Sequence, residues 1–158
     1  MRRTLWLMVF LAACARDSAP PAQRAPASED SSFAALQTRG QGAMGVDQYT
    51  SQHRFEPLPD GGRIELQRDT GDTAGVATIR AHMRDIAGRF SQGDFSIPGF
   101  VHAQEVPGTR VMAEKKASIT YEARDLPGGA EVRIRSDPDA VAAIHEFLAF
   151  QRGDHRAH

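Results

Sequence analysis

Residues 53–90 read HRFEPLPDGGRIELQRDTGDTAGVATIRAHMRDIAGRF, and this stretch decides the fold. A first apolar-polar run, with Pro57 and Pro59 near its end, meets Asp60-Gly61-Gly62, whose glycines tolerate the positive φ of a hairpin turn. In 63–68, Ile64 and Leu66 alternate with Arg63, Glu65 and Gln67, the period of a strand with one buried face. Asp69, Asp72 and Thr73 supply a helix entry, where carboxylates suit the positive end of the helix. Val76, Ile79, Met83, Ile86 and Phe90 then recur at helical spacing, which predicts one apolar stripe along a helix from about 73 to 90. Met83 is thereby read as core.

The same order returns in 119–151, ITYEARDLPGGAEVRIRSDPDAVAAIHEFLAFQ. Ile119, Tyr121, Val132 and Ile134 are predicted to face a core; Thr120, Glu122, Arg124, Glu131, Arg133 and Arg135 form a solvated row. Ser136-Asp137-Pro138-Asp139 combines cap, proline and acid at a helix start. Val141, Ile144, Phe147 and Leu148 give the buried stripe, and Gly153 ends the helix. Phe55 matches Tyr121, Gly61-Gly62 matches Gly128-Gly129, and Ile64 and Leu66 match Val132 and Ile134. Internal duplication is one reading; the other is that any two ββα units share turn glycines and apolar periods. Either way the pattern predicts an α+β fold, ββα-ββα, a four-stranded antiparallel sheet with two helices on one face. The halves span about 50–92 and 117–152 within one domain, 33–155.

With 158 residues, one domain is expected. Cys14 is the single cysteine, which excludes an intramolecular disulfide, and a net charge of −1 gives no reason to expect a nucleic-acid partner. The chain begins MRRTLWLMVFLAAC: two arginines, a short apolar run, then Leu11-Ala12-Ala13-Cys14. This is the form of a secretory signal, 1–13, too short for a membrane span. Its end resembles a bacterial lipobox, which implies cleavage before Cys14 and a diacylglycerol on its sulfur. The alternative is an ordinary signal peptide with a chance cysteine. Residues 14–32 are rich in Ala, Pro and Ser and read as a disordered tether. The expected location is therefore the bacterial envelope, lipid-anchored, with the domain in the periplasm or at the cell surface. Residues 32–41 predict a short helix that buries Phe33 and Leu36 and breaks at Gly40, Gly42 and Gly45.

No G-x-S-x-G elbow or G-x-x-x-x-G-K loop is present, and His145-Glu146 lacks the second histidine of a zincin helix because position 149 is alanine. No catalytic residue is assigned, and an enzyme is not the expected reading. Imidazoles and thioethers together suit copper in an exported protein, with zinc as the other candidate. The metal set is His53, His102, His145, Met44 and Met112. His53 shares a strand face with Phe55 and is predicted to point inward, where a hydrogen-bonded structural role is the competing reading. If the helices pack antiparallel about a pseudo-twofold, His82 meets Phe147 or Arg80 meets His145. His155 and His158 read as a solvated polar tail. Residues 95–108 are irregular, and Phe95, Ile97, Phe100 and Val101 are candidates for an apolar groove.

From Met44 to the C-terminus the chain resembles a family of small exported bacterial proteins of uncharacterised function. The residues that carry the likeness are MGVDQ, HRF, GGRIEL, IRAHM, FSQGDFSIPGFVH, PGTRVM, GGAEVRIR and AIHEFLAFQ with His155 beyond. Some of its members carry the name aspartate carbamoyltransferase. Transcarbamoylases are similar to two-domain α/β enzymes of about twice this length with a Ser-Thr-Arg-Thr loop, and this chain has neither feature. The resemblance implies an exported globular domain. Three functions are open: a non-catalytic envelope module binding a protein or small ligand, a metal binder, and an enzyme with His102 or His145 as acid or base beside a carboxylate.

Overall fold

Two hairpins form the sheet. Strand β1 (Ser51–Leu58) pairs antiparallel with β2 (Gly61–Arg68), and β3 (Ile119–Leu126) with β4 (Gly129–Ser136). The structure, a computed structural model, describes residues 26–157; the leader, Cys14 and His158 lie outside them. β2 also pairs antiparallel with β4, so the order is β1-β2-β4-β3. Phe55, Ile64, Leu66, Val132 and Ile134 face one side and join a single core with two of the long helices, α2 (Thr73–Ser91) and α5 (Pro138–Asp154). The α+β architecture is thus the expected one. Pro57, which cannot donate to a ladder, sits on edge strand β1.

Each helix crosses to the other hairpin: α2 covers β3 and β4, and α5 covers β1 and β2. Corresponding bonds lock both crossings. Arg80 of α2 donates to Leu126 O (2.6 Å) and Gly129 O (3.1 Å), while His145 of α5 reaches Leu58 O (2.9 Å). Leu58 and Leu126 are the last residues of β1 and β3. Arg68 N donates to Gly128 O (2.9 Å), and Ser136 N to Asp60 O (3.0 Å), the same bond in each half. Ile64 and Val132 are partners across the β2–β4 seam and occupy equivalent places in their hairpins, which puts a pseudo-twofold axis between them.

Several details differ from the sequence reading. The turns fall at Pro59-Asp60 and Pro127-Gly128, ahead of Gly61-Gly62 and at the start of Gly128-Gly129. Gly61 does take a positive φ (138°), while the other strand glycines serve packing: a Cβ on Gly62 would lie 2.2 Å from Leu148 Cδ1, and one on Gly129 would lie 2.1 Å from Leu66 O and 3.0 Å from Ile79 Cγ2. A helix from the opposite half crosses close to the strand at each point. The α5 stripe is also shifted, with Ala140, Ile144, Phe147, Leu148 and Gln151 buried and Val141 half-buried.

On the face of the sheet away from α2 and α5 the pseudo-symmetry sets like charges opposite each other, Arg63 across from Arg133 and Glu65 across from Glu131, and Glu131 is buried there and not solvated as expected. Such pairs alone repel. Here Arg63 turns to Glu56, to Glu65 (3.1 Å) and to Glu131 (3.5 Å), and Arg133 turns to Asp60 and to Gly62 O (2.9 Å).

Helix α1 (Pro26–Met44) is longer than predicted at both ends: it starts inside the stretch expected to be tether and runs through Gly40 and Gly42. Tertiary packing outweighs the low helix propensity of glycine. Leu36 is buried, Gly40 lies against the Gln48 side chain, and Arg39 Nε donates to Val101 O (2.7 Å). The segment read as irregular, 95–108, contains a short helix, α3 (Ser96–His102), and a second, α4 (Thr109–Glu114), follows it. Among the described residues no helix is long and apolar enough to cross a membrane.

Candidate functional site

Four histidines from four elements line one apolar cavity of about 60 Å³ between α2, the C-terminal end of α5 and the inner face of β1. On a strand, residues two apart share a face; His53 therefore points inward beside Phe55, the rings stacked at 5.8 Å. His155 follows the last turn of α5, where its N–H donates to Gln151 O (3.0 Å), and its ring stacks on His53 at 4.8 Å. His102 closes α3, which stops because Ala103 takes the left-handed conformation (φ 53°). His82 lies on the buried side of α2, and its Nε2 has no hydrogen-bond partner in the protein. Met44, Met83, Ile97 and Val101 supply much of the remaining wall.

The imidazoles differ in their hydrogen-bond commitments. Burial, reinforced by nearby His82, pushes His53 from 6.5 down to about 4. Burial, then His53 and His102, pushes His155 down to about 3. Burial also lowers His82, opposed by Asp85. All three are neutral at pH 7. His102 is held at both ring nitrogens, Nδ1 by the Asp154 carboxylate and Nε2 by the Gln151 amide (2.9 Å). Whichever way that amide is turned, Nε2 is occupied. His102 and Asp154 form the histidine-carboxylate pair an acid-base enzyme would need, without the free nitrogen that would move a substrate proton.

A polar cleft of about 510 Å³ lies alongside, lined by Gln37, Gln48, Gln52, Gln67, Arg54 and Arg156 among others. His53 and His155 line both spaces, so the stacked pair stands where apolar cavity meets polar cleft.

The predicted metal set is divided. His53, His102 and Met44 meet at the cavity. His145 is spent on Leu58 O, and Met112 is fully buried in the core, so neither belongs to it. Among the described residues no group of three His, Cys, Asp or Glu side chains is arranged to hold a metal ion. The predicted groove divides for a helical reason. Ile97 and Val101, four apart on α3, line the cavity. Phe100 is on the other face and 58% exposed, and Phe95, ahead of the helix, packs on Phe90 at 4.5 Å.

The sequence reading named His82 but left it out of the metal set, and it missed His155. His82 and Phe147 both line the cavity. His155 is no solvated tail; it stacks on His53 and lies edge-on to His102 at 5.1 Å. Its signal was the repeat itself: Asp72 and Asp137, before α2 and α5, are 65 positions apart, and so are Phe90 and His155.

No family model, curated protein or solved structure matches this chain.

Proposed function

We propose that this protein is a non-catalytic binding module for a small ligand with a short apolar end and a polar head. The apolar end occupies the cavity and the head occupies the cleft. The observation that carries this reading is the stacked His53–His155 pair, neutral at pH 7 and shared by both spaces. A cavity of about 60 Å³ has room for a short apolar group, on the order of two water volumes. Titration with alkyl alcohols of increasing length, followed by the ring-proton resonances of His53 and His155, tests it. Each methylene that enters contributes about 0.8 kcal/mol, a roughly fourfold gain in affinity. The gain should level off once the cavity is full. Ring resonances that ignore every alcohol would defeat the reading.

A copper or zinc site is the second reading. It is favoured by the unpartnered Nε2 of buried His82 on a cavity that also holds neutral His53 and the thioethers of Met44 and Met83. Cu(I) titration decides it: one-to-one binding abolished by His82→Phe supports it, and uptake unaffected by that change removes it.

We keep the envelope lipoprotein as the setting, as the lipobox-like end of the leader suggests. Two acyl chains hold a protein stably at a bilayer where one is marginal. Cys14→Ser is expected to move the protein from the membrane fraction to the soluble fraction; retention at the membrane would refute lipidation.

A further inference from the structure

We propose that β3 is the docking edge for a second copy of this chain, the two four-stranded sheets joining antiparallel about Ala123. β3 ends the sheet, and among the described residues no strand pairs with its outer side. On such an edge alternate N–H and C=O groups lack a ladder partner. The other edge, β1, carries Pro57, a guard against pairing. β3 runs for 8 residues without a proline, and its register with β4 has no bulge.

The charges on β3 select the occupant. Thr120, Glu122 and Arg124 share the face away from α2 and α5, across from Arg135, Arg133 and Glu131 of β4. Pairing β3 with its own copy about Ala123 sets Glu122 across from the copy's Arg124, and Arg124 across from the copy's Glu122. A slip of one dipeptide, the smallest that keeps each face together, sets Glu122 or Arg124 against itself. Opposite charges across a ladder attract and like charges repel, so the strand is complementary to itself in this one register.

The helices fit the same arrangement. α2 lies over β3 and β4. Joining two copies at β3 therefore sets their α2 axes about two strand spacings apart, roughly 9.6 Å, which falls within the roughly 8–10 Å of packed helices. Arg84 pairs with Asp125 of β3 (2.6 Å), which marks the α2 flank that faces this edge. Ala81 and Gly88 lie beside Arg84 on that flank, both exposed. A Cβ on Gly88 would meet nothing within 4 Å. Glycine weakens a helix, and the single chain has no packing use for one at this position. A second α2 at packing distance supplies that use. The ligand cavity, at the inner face of β1, is at the opposite edge of the sheet.

Sedimentation equilibrium of the full chain in density-matched detergent reads the protein mass of each particle, and a dimer is expected. Glu122→Arg sets arginine against the copy's Arg124 and should weaken the dimer about tenfold or more; adding Arg124→Glu restores opposite charges and should recover most of the loss. Gly88→Leu favours the helix and crowds the seam, so the chain should be no less stable to denaturant while the dimer weakens about tenfold or more. A monomer at the highest soluble concentration would overturn the proposal. So would a dimer indifferent to both Glu122→Arg and Gly88→Leu. A double variant no tighter than Glu122→Arg alone would overturn the pairing about Ala123.

Discussion

Phe90 against Tyr121 and His155 against His53 are the same place in the two halves of this molecule, built from different chemistry. Along the hairpins corresponding residues are 68 apart, which pairs Tyr121 with His53 and not with Phe55, as the sequence repeat suggests; along the helices they are 65 apart, which pairs His155 with Phe90. In the first case the end of α2 closes on β3 through Phe90 and Tyr121, edge to face at 5.7 Å, and Phe95 and Phe147 complete an aromatic cluster. In the second the end of α5 closes on β1 through two stacked imidazoles at 4.8 Å, with His102 in attendance and a cavity beside them. One end of the pseudo-twofold is closed by aromatic rings, with the Tyr121 hydroxyl buried and unpartnered among them; the other sets two stacked imidazoles where the cavity meets the polar cleft. Imidazoles held neutral by burial contribute less to stability than rings of the same size without nitrogens, which is why the proposed ligand is placed at the second end.

Three experiments press on that contrast. The largest effect belongs to the sealed end. Phe90→Ala removes a ring that is 1% exposed and should cost about 3–5 kcal/mol in chemical denaturation. His155→Ala should cost less than half as much, and equal losses would mean that both ends serve packing alike.

Acid comes next. Folding holds His53 and His155 near 4 and 3 where the unfolded chain takes up protons near 6.5. Their contribution is therefore complete above about 6.5 and is lost as the pH falls toward 4, with a slope of up to about 1.4 kcal/mol per pH unit for each histidine. Denaturation curves between pH 7.5 and 4.5 measure this, and a flat profile would show that the imidazoles are not kept neutral.

The smallest effect at neutral pH comes from copying one end onto the other, His53→Tyr with His155→Phe. Stability at pH 7 should shift by only about 1 kcal/mol, a size common for well-fitted core exchanges. Yet the acid slope should flatten and alkyl alcohols should no longer bind. Persistence of alcohol binding in the double variant would place the ligand elsewhere.

Much of this was written locally. The alternation of Ile64 and Leu66 with charged neighbours, and the spacing of Val76, Ile79, Met83 and Phe90, are imprints of a buried face on the chain, and all six of these apolar side chains are buried. His53 could be set inward from its strand phase alone. The candidate site was legible only in fragments: His53, His102, Met44, Ile97 and Val101 were named, in two separate sets with unrelated purposes. His155 was hidden because its neighbours Asp154 and Arg156 are polar, and composition reports the average of a segment, not the direction of one ring.

The sequence by itself determined the two ββα units, their buried faces and the antiparallel hairpins, because strand and helix periods are short-range properties of the chain. Only the tertiary structure decided that β2 would meet β4, that each helix would lie over the other hairpin, and that Asp154 and Gln151 would hold His102 beside the imidazole pair. Those outcomes depend on which buried face closes against which. A periodic pattern shows that a face is apolar and says nothing about the partner that covers it.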